Sequence, residues 1–580
     1  MEGVYLSQRH QKKDHSFKLY AVHNIWVPEE PDPKKRLKKK QVYIGRKHAD
    51  GTCDFNDNTA TYLALLRKTE YERKFYNWQD YKNKQKAEAG AEDDDVQEPE
   101  MQAVANCEDK AAGADLLFSK AAKDSGLSKT LDAVFPEESD EILSLAEHCA
   151  SGDARPLYQA AAWSQDQKLP GGTTFTEKKI SELLSKLTAS KITTFYGEWI
   201  KNSPVENRLS LDITSVSSYS KGIPDVTFGY NRDKEKLPQV NLLLIVDQKT
   251  KLPVWLEQLP GAIADMSTVK DTVKLLTQLG VRRNFVCDRG FCSHENLACL
   301  QKNGFKFTMG VPLFRFPEYM EILNEAKAKN EFNDAGISVE MFGGAGVFQT
   351  QGVTKLIDLN GHRAYLHLYY CSAYRSSNEA DLMERVDQVK CLLEEGKELK
   401  TALDQEIAER CFTTRKYKDK IIARCDKDAV AKMKEEFGGY FAIISNDIKD
   451  FREAMKVYKL RDGVEKRFDD LKNDMDCSRL RVHSAERMRA RLFIQFVAEV
   501  LRCWILNQRQ TRAEEWKKLK LTPKTVNDII WAMSSLRHLH IEGHHPFYKR
   551  PTKTQIGIMK FFKIDTSNRL SWPSLHPSAR

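Results

Sequence analysis

The sequence predicts a mixed α/β protein in which a central sheet with flanking helices is interrupted by a long insertion. Three observations support this fold class. Between residues 206 and 312, β-type runs alternate with helical patterns; a second group of β-type runs extends to residue 446; and a strongly apolar helical repeat begins at Ser484. The 580 residues are 41% hydrophobic and 10% aromatic, which excludes collagen-like and wholly disordered chains. No apolar run approaches the ~18 residues that a membrane-spanning helix needs, so a membrane protein is excluded as well.

The N-terminal region, residues 1–84, is predicted to contain a β-hairpin with a cationic tip. Two β-type runs, Phe17–Val27 and Gln41–Ile44, enclose a Pro-containing loop. The basic run there is dense enough to contact DNA phosphates and consists of Lys34, Lys35, Arg36, Lys38, Lys39 and Lys40. A solvated loop remains the alternative, because the net charge of the whole chain is only +9.

The regions beside the predicted core differ in composition. Residues 85–130 are predicted to be an acidic, low-complexity linker, residues 131–205 a helical region, and residues 511–580 a C-terminal region with a helix near Val526–Leu536. The 12 cysteines form no CxxC pair and the first ten residues lack an apolar run. We therefore expect an intracellular protein in the cytoplasm, associated with the nucleoid, with no membrane partner.

The core is predicted over residues 206–312 and resumes over 447–510. Its first elements are a strand at Leu209–Thr214 and a hairpin of two strands at Val240–Asp247 and Leu252–Leu259. A helix at Ser267–Leu279, a strand at Arg283–Asp288, a helix from Ser293 and a strand at Phe305–Val311 follow. This order is that of a ribonuclease-H-like core. The last part contains a helix after Ser484 whose apolar pairs recur every four residues, which predicts a buried helix face.

Residues 313–446 are predicted to be a β-rich insertion subdomain. Two β-type runs flank Asn360-Gly361, the preferred type I′ hairpin turn. A long charged helix over about residues 380–410 and a strand at Tyr440–Ile444 follow.

Two aspartates and one glutamate are the candidate catalytic residues. Asp212 lies within the first core strand and Asp288 at the end of the fourth, where a carboxylate is costly unless a cation meets it. Tyr458, Arg461, Glu465 and Lys472 follow the insertion at spacings that place all four within a ~60° stripe of one helix. A solvated face with one Arg461–Glu465 pair is the simpler interpretation, but it explains neither the tyrosine nor the lysine.

Three converging carboxylates suit hard divalent cations. Mg²⁺, with Mn²⁺ as a substitute, prefers oxygen ligands and accepts phosphate in the same shell. Two such ions can activate a water or a 3′-hydroxyl and stabilise the oxygen that leaves a phosphodiester. Asp212, Asp288 and Glu465 are therefore predicted to hold two ions, while Tyr458, Arg461 and Lys472 contact DNA phosphates.

At these residues the chain resembles the DDE transposases of bacterial insertion sequences, specifically the group with a Tyr-x2-Arg-x3-Glu-x6-Lys motif. The motif is complete here, and the blocks around Asp212 and Asp288 match in type and order. The resemblance covers roughly residues 205–510, and the 176 residues between Asp288 and Glu465 fit the β-rich insertion of that group. The long acidic segment and the His-rich tail depart from the group's pattern.

The resemblance implies cut-and-paste transposition by a homodimer assembled on double-stranded DNA. Such an enzyme binds the terminal inverted repeats, cleaves the DNA ends and joins their 3′ ends to target DNA, in relatives through a hairpin intermediate. The resemblance also implies that the helical region 131–205 is a DNA-binding region. Two alternatives stay open. One is a catalytically inactive, transposase-derived DNA-binding protein, and the other is a stand-alone Mg²⁺ nuclease with the same core.

Overall fold

The computed structural model describes two compact units, Met1–Asn106 and Cys107–Arg580. The described residues are 4–11, 16–26, 37–56, scattered positions between 59 and 75, 107–152, 154–205, 208–229, 235–263, 265–278, 284–340, 347–399, 402–417, 420–477, 479, 481–541 and 545–564. Within these residues, no helix combines the length and the apolar character required to cross a membrane.

The first unit is built on a four-stranded antiparallel sheet in the order β1-β2-β3-β4. Its strands are β1 Val4–Gln11, β2 Ser16–Trp26, β3 Leu37–Lys47 and β4 Cys53–Phe55. The predicted hairpin is confirmed, since β2 and β3 pair from Phe17 with Lys47 to Trp26 with Leu37. Buried apolar side chains, among them Leu19, Ala21, Ile44 and Phe55, form its core.

The helices of the second unit surround a large sheet. They are α1 Gly113–Asp124, α2 Leu127–Val134, α3 Ser139–Ala150, α4 Ala160–Trp163, α5 Glu177–Lys186, α6 Ala189–Asn202, α7 Asp265–Gln278, α8 His294–Lys302, α9 Pro317–Ala328, α10 Arg375–Glu394, α11 Ala402–Cys411, α12 Lys427–Phe437, α13 Phe451–Lys459, α14 Asp462–Asp469, α15 Ala485–Thr511, α16 Ala513–Lys518, α17 Val526–Ser534 and α18 Lys553–Phe562.

The predicted linker over residues 85–130 is wrong from Cys107 onward. Residues 85–106 lie outside the described residues. Strand β5, Glu108–Ala111, pairs with strand β17, Arg537–His540. Strand β17 also pairs with β18, Phe547–Tyr548. Helix α1 follows and is largely buried. Its alanines and glycine allow close helix packing, and the same small residues resemble a linker when composition alone is considered.

Nine strands form one mixed sheet in the order β8-β7-β6-β9-β10-β16-β13-β12-β11. The pairs β6–β9 and β9–β10 are parallel and all others are antiparallel. The strands are β6 Arg208–Ser217, β7 Gln239–Asp247, β8 Pro253–Pro260, β9 Asn284–Cys287, β10 Lys306–Val311, β11 Asn333–Glu340, β12 Val347–Leu359, β13 His362–Tyr370 and β16 Tyr440–Ser445.

The predicted order of core elements is confirmed by β6 to β10 with α7 and α8 between them. Strand β7 is buried at every position, which explains its uninterrupted apolar run. Helix α8 begins where the Ser293 side chain accepts a hydrogen bond from the Asn296 backbone N–H at 3.2 Å.

Residues 313–446 are predicted to form a separate β-rich subdomain, but most of their strands extend the central sheet. The hairpin β12–β13 turns at Asn360 and Gly361, whose φ values of 53° and 80° fit the predicted type I′ turn. It joins the core through β16, which pairs with β13 on one side and β10 on the other. The alternation of apolar residues indicates which face of a strand is buried but does not specify its neighbour.

A largely helical subdomain, residues 375–437, has a hydrophobic core of its own. Helices α10, α11 and α12 pack with a two-stranded ribbon formed by β14, Phe412–Tyr417, and β15, Lys420–Cys425. The single helix predicted over residues 380–410 is divided because α10 ends near Gly396, whose φ of 66° requires the left-handed region.

The predicted buried helix after Ser484 is confirmed as α15. Its first turn is capped by the Ser484 side chain, which accepts a hydrogen bond from the Arg487 backbone N–H at 3.2 Å. Apolar side chains of α15 share one hydrophobic core with α1–α3, α5, α6, the central sheet and the C-terminal helices. This helix is therefore the main internal support of the second unit.

Candidate active site

Asp212 and Asp288 lie side by side at β6 and β9, two neighbouring parallel strands inside the nine-stranded sheet. Leu211 on β6 pairs with Cys287, the last residue of the parallel strand β9, and each aspartate follows directly after its paired residue. Asp212 is 4% exposed and accepts a hydrogen bond from the Ile213 backbone N–H at 2.8 Å. Asp212 and Asp288 therefore occupy adjacent positions on neighbouring parallel strands.

The segment that carries the third acid is not the single helix that the spacing predicts. Tyr458 belongs to α13, Arg461 directly precedes α14, Glu465 lies on α14, and Lys472 lies in a π-helical turn, Asp470–Asp474. At the junction, the Arg461 backbone N–H bonds to the Tyr458 carbonyl, three residues back. Tight turns and π turns of this kind often lie at functional sites.

Tyr458 connects this segment to the sheet. Its hydroxyl donates a hydrogen bond to Asp288 Oδ1 at 2.9 Å. Burial raises the pKa of Tyr458, and the nearby Asp288 carboxylate raises it further, so the phenol remains a donor. Room for the ring comes from Gly310 on β10, where an added Cβ would lie 2.5 Å from the phenol oxygen. Sequence reasoning missed Gly310, although a glycine inside a strand often marks a position that another group approaches closely.

Arg461 is the centre around which the three acids gather. Its Nη1 lies 2.8 Å from Glu465 Oε1 and 3.6 Å from Asp212 Oδ2. Burial opposes its charge, but Asp288 and Tyr458, together with Glu465 and Asp212, raise its pKa above the ordinary value. Its Nε is buried without a hydrogen-bond partner. The guanidinium thus pairs with two of the three carboxylates, Asp212 and Glu465, and its Nε remains a donor without a partner among the described residues.

The other predicted DNA contacts lie elsewhere. Lys472 is half-buried in the π turn. Hydrogen bonds from Ser217 and Arg479 lower the pKa of Glu235, and the charge of Lys472 adds a smaller lowering. Of the N-terminal basic run, Lys34, Lys35 and Arg36 lie outside the described residues, as do the side chains of Lys38 and Lys39, whereas Lys40 is exposed on β3 of the first unit.

The donor chemistry of the cluster fits a hard divalent cation, but its present arrangement does not form a metal site. Asp212, Asp288 and Glu465 supply only carboxylate oxygens, the ligands that Mg²⁺ and Mn²⁺ prefer. Across the described part of the chain, however, no three His, Cys, Asp or Glu side chains are grouped closely enough to hold a metal ion. Arg461 supplies the positive charge that the carboxylates require in this state.

Buried ion pairs fix α14 and the π turn on α15. Arg467 Nη1 lies 2.7 Å from Asp470 Oδ2 and 3.2 Å from Glu499 Oε1. Arg502 pairs with Asp474 within the same interface. Since Glu465 is only two residues from Arg467, these pairs determine where the third acid lies.

We expect Gly310→Ala to destabilise the protein by about 1–3 kcal/mol, because the new methyl group would collide with the Tyr458 ring. Thermal unfolding of the variant measures this loss. The double variant Gly310→Ala/Tyr458→Phe lacks the phenol oxygen and should recover part of the stability, with Tyr458→Phe alone as the control. Equal stability of Gly310→Ala and the wild type would contradict the packing described for Tyr458.

The chain is similar to a protein family and to solved structures. Among solved structures, the chain is similar to the piggyBac transposase in a synaptic complex with hairpin DNA, studied by cryo-electron microscopy, with 12% sequence identity and a TM-score of 0.34 over 76% of this chain and 78% of that chain. No curated protein matches it significantly. The sequence profile of the family described as the transposase DDE domain matches residues 204–501, which include all three acids. The chain therefore belongs to the DDE transposase family.

Proposed function

We propose that the chain is an active cut-and-paste transposase that binds the terminal inverted repeats of an insertion sequence. It cleaves the DNA ends and transfers their 3′ ends into target DNA, acting inside the cell as a homodimer on double-stranded DNA. The observation that carries this proposal is the adjacent placement of Asp212 and Asp288 on neighbouring parallel strands, with Glu465 joined to Asp212 through Arg461.

The sheet order supports a ribonuclease-H-like core for this proposal. The order β8-β7-β6-β9-β10, with an antiparallel hairpin on one side of β6 and two parallel strands on the other, is the one expected for such a core. Asp212 lies on the central strand of these five, and Asp288 follows its parallel neighbour.

Each polar residue of the site receives a role under this proposal. Asp212, Asp288 and Glu465 would hold two Mg²⁺ ions, which supply an activated water or 3′-hydroxyl and stabilise the departing oxygen. Arg461, with its unpartnered Nε, and Lys472 would contact phosphates that flank the scissile bond. The Tyr458 hydroxyl holds Asp288 in position through its hydrogen bond.

A second candidate, a catalytically inactive DNA-binding protein of the same family, is favoured by one observation. Within the described residues, Asp212 and Glu465 pair with Arg461, and the three carboxylates are not grouped as metal ligands. Catalysis therefore requires Arg461 to leave the carboxylates when DNA and metal bind, whereas a DNA-binding protein does not require this movement.

The test is a cleavage assay on DNA that carries the sequences flanking the gene. We expect cuts at discrete positions with Mg²⁺ or Mn²⁺, no cuts with EDTA, and joined products when a target plasmid is added. Specific binding of this DNA without cleavage in either metal would refute the transposase proposal in favour of the second candidate.

A further inference from the structure

The β14–β15 ribbon carries a concentration of positive charge that the active site does not use. Its two strands contain Arg415, Lys416, Lys420 and Arg424 and no acidic residue. The strands pair from Phe412 with Cys425 to Tyr417 with Lys420, so the ribbon extends ~20 Å along each strand. Four cations on twelve residues form the densest such cluster among the described strands of the second unit.

The two faces of the ribbon differ in their surroundings. Phe412 and Ala423 point inward and belong to the hydrophobic core of residues 375–437. Cross-strand partners share a face, so Arg415 lies beside Ile422, and Thr413 beside Arg424, on the opposite face. That outer face is exposed along its whole described length, with Tyr417 62% and Ile422 52% exposed.

The mixture on the outer face indicates a binding surface. Cations alone would be enough to protect a ribbon from pairing with other strands. The exposed Ile422 and its diagonal neighbour Tyr417 go beyond that need, because adjoining exposed apolar side chains often mark an interaction site. Neither Arg415 nor Arg424 forms an ion pair with a described residue, so both are free to meet an external anion.

We infer that this outer face of the β14–β15 ribbon binds double-stranded DNA. The inference rests on the proposed function, which supplies DNA as the polyanion. The major groove admits a two-stranded ribbon, and Arg415 and Arg424 contact phosphates at its walls while Ile422 and Tyr417 face sugars and bases. Charge complementarity selects DNA over a second copy of the chain, whose ribbon would bring like charges together.

The test measures the affinity of the full-length protein for a fluorescent duplex by anisotropy, at several salt concentrations. We expect Arg415→Ala/Arg424→Ala to weaken binding about tenfold and to reduce the slope of log K against log salt by about 2, one phosphate for each arginine. Arg415→Lys/Arg424→Lys should keep the slope. The matched control, Lys390→Ala/Lys432→Ala, removes two exposed lysines from α10 and α12 of the same subdomain and should bind like the wild type.

The outcomes separate this inference from the proposed function. If the wild type binds no duplex, the proposed function fails. If the wild type binds and the double alanine variant has the same affinity and slope, the ribbon inference is overturned. A change in sedimentation without a change in DNA binding would also overturn it, since the ribbon would then be a protein contact. An unchanged melting temperature of the variants shows that the fold is intact.

Discussion

Asp288→Asn should abolish metal-dependent DNA cleavage while leaving DNA binding intact. Asparagine has almost the same shape and keeps an amide oxygen that accepts the Tyr458 hydrogen bond, so the local structure should persist. It lacks the negative charge that a divalent cation requires. Stabilisation of phosphodiester cleavage by metal ions is worth several kcal/mol, so we expect a loss of at least about 10³ in rate. Single-turnover nicking measures this loss, and anisotropy with the same DNA measures binding.

Asp247→Asn provides a matched control for this prediction. Asp247 is also a buried aspartate at the end of a strand, but it pairs with Leu209, three residues before Asp212 on β6, and accepts hydrogen bonds from the Thr250 backbone N–H and hydroxyl. Removing its charge should leave nicking within a few-fold of the wild type. Undiminished nicking by Asp288→Asn in Mg²⁺ would refute the assignment of Asp288 as a metal ligand.

The strand pattern and the two aspartates were readable from the sequence because both depend on local order. Buried strands need uninterrupted apolar runs, and a carboxylate at the end of such a run stands out. Asp212 and Asp288 were therefore predicted as a pair, and the register of β6 with β9 places them together. Whether they bind metal stays a prediction.

The surroundings of the third acid were less predictable because they depend on tertiary contacts. The spacing of Tyr458, Arg461 and Glu465 indicated one helix, but the turn before α14 and the π turn arise from how the segment packs on α15. Arg461 was assigned to DNA, whereas the structure places it among the carboxylates. Charged residues on α15, such as Glu499, interrupt an apolar pattern and gave no sign of a buried network.

Arg467→Ala should lower the free energy of unfolding by about 3–5 kcal/mol, the usual loss when one partner of a buried ion pair is removed. Arg467 is 5% exposed and Glu499 is 1% exposed, so the variant leaves a carboxyl group buried without its cation. Chemical denaturation measures the change. The control is Arg489→Ala, which removes an exposed arginine from α15, the helix that carries Glu499. It should change stability by less than about 0.5 kcal/mol.

The loss of stability in Arg467→Ala should be larger at high pH than at low pH. Burial raises the pKa of Glu499 to about 7, although Arg467 acts against this shift. A carboxyl group whose pKa is higher in the folded state contributes stability at low pH. This contribution is lost as the pH rises from the pKa of the unfolded state, ~4.3 for a glutamate, through the pKa of the folded state. Without Arg467 the ionised form of Glu499 is even less favourable in the folded state. The free energy of unfolding of Arg467→Ala should therefore be closer to that of the wild type at pH 5 than at pH 8.

A second substitution distinguishes an ion pair from simple loss of packing. In Arg467→Met/Glu499→Gln the cation and the carboxylate are removed together, and the double variant should be more stable at pH 8 than Arg467→Ala. If Arg467→Ala instead loses the same stability at pH 5 and pH 8, the interaction with ionised Glu499 does not hold α14 on α15. The position of Glu465 would then depend on the apolar contacts of Val464 and Phe468, which are buried on the same helix.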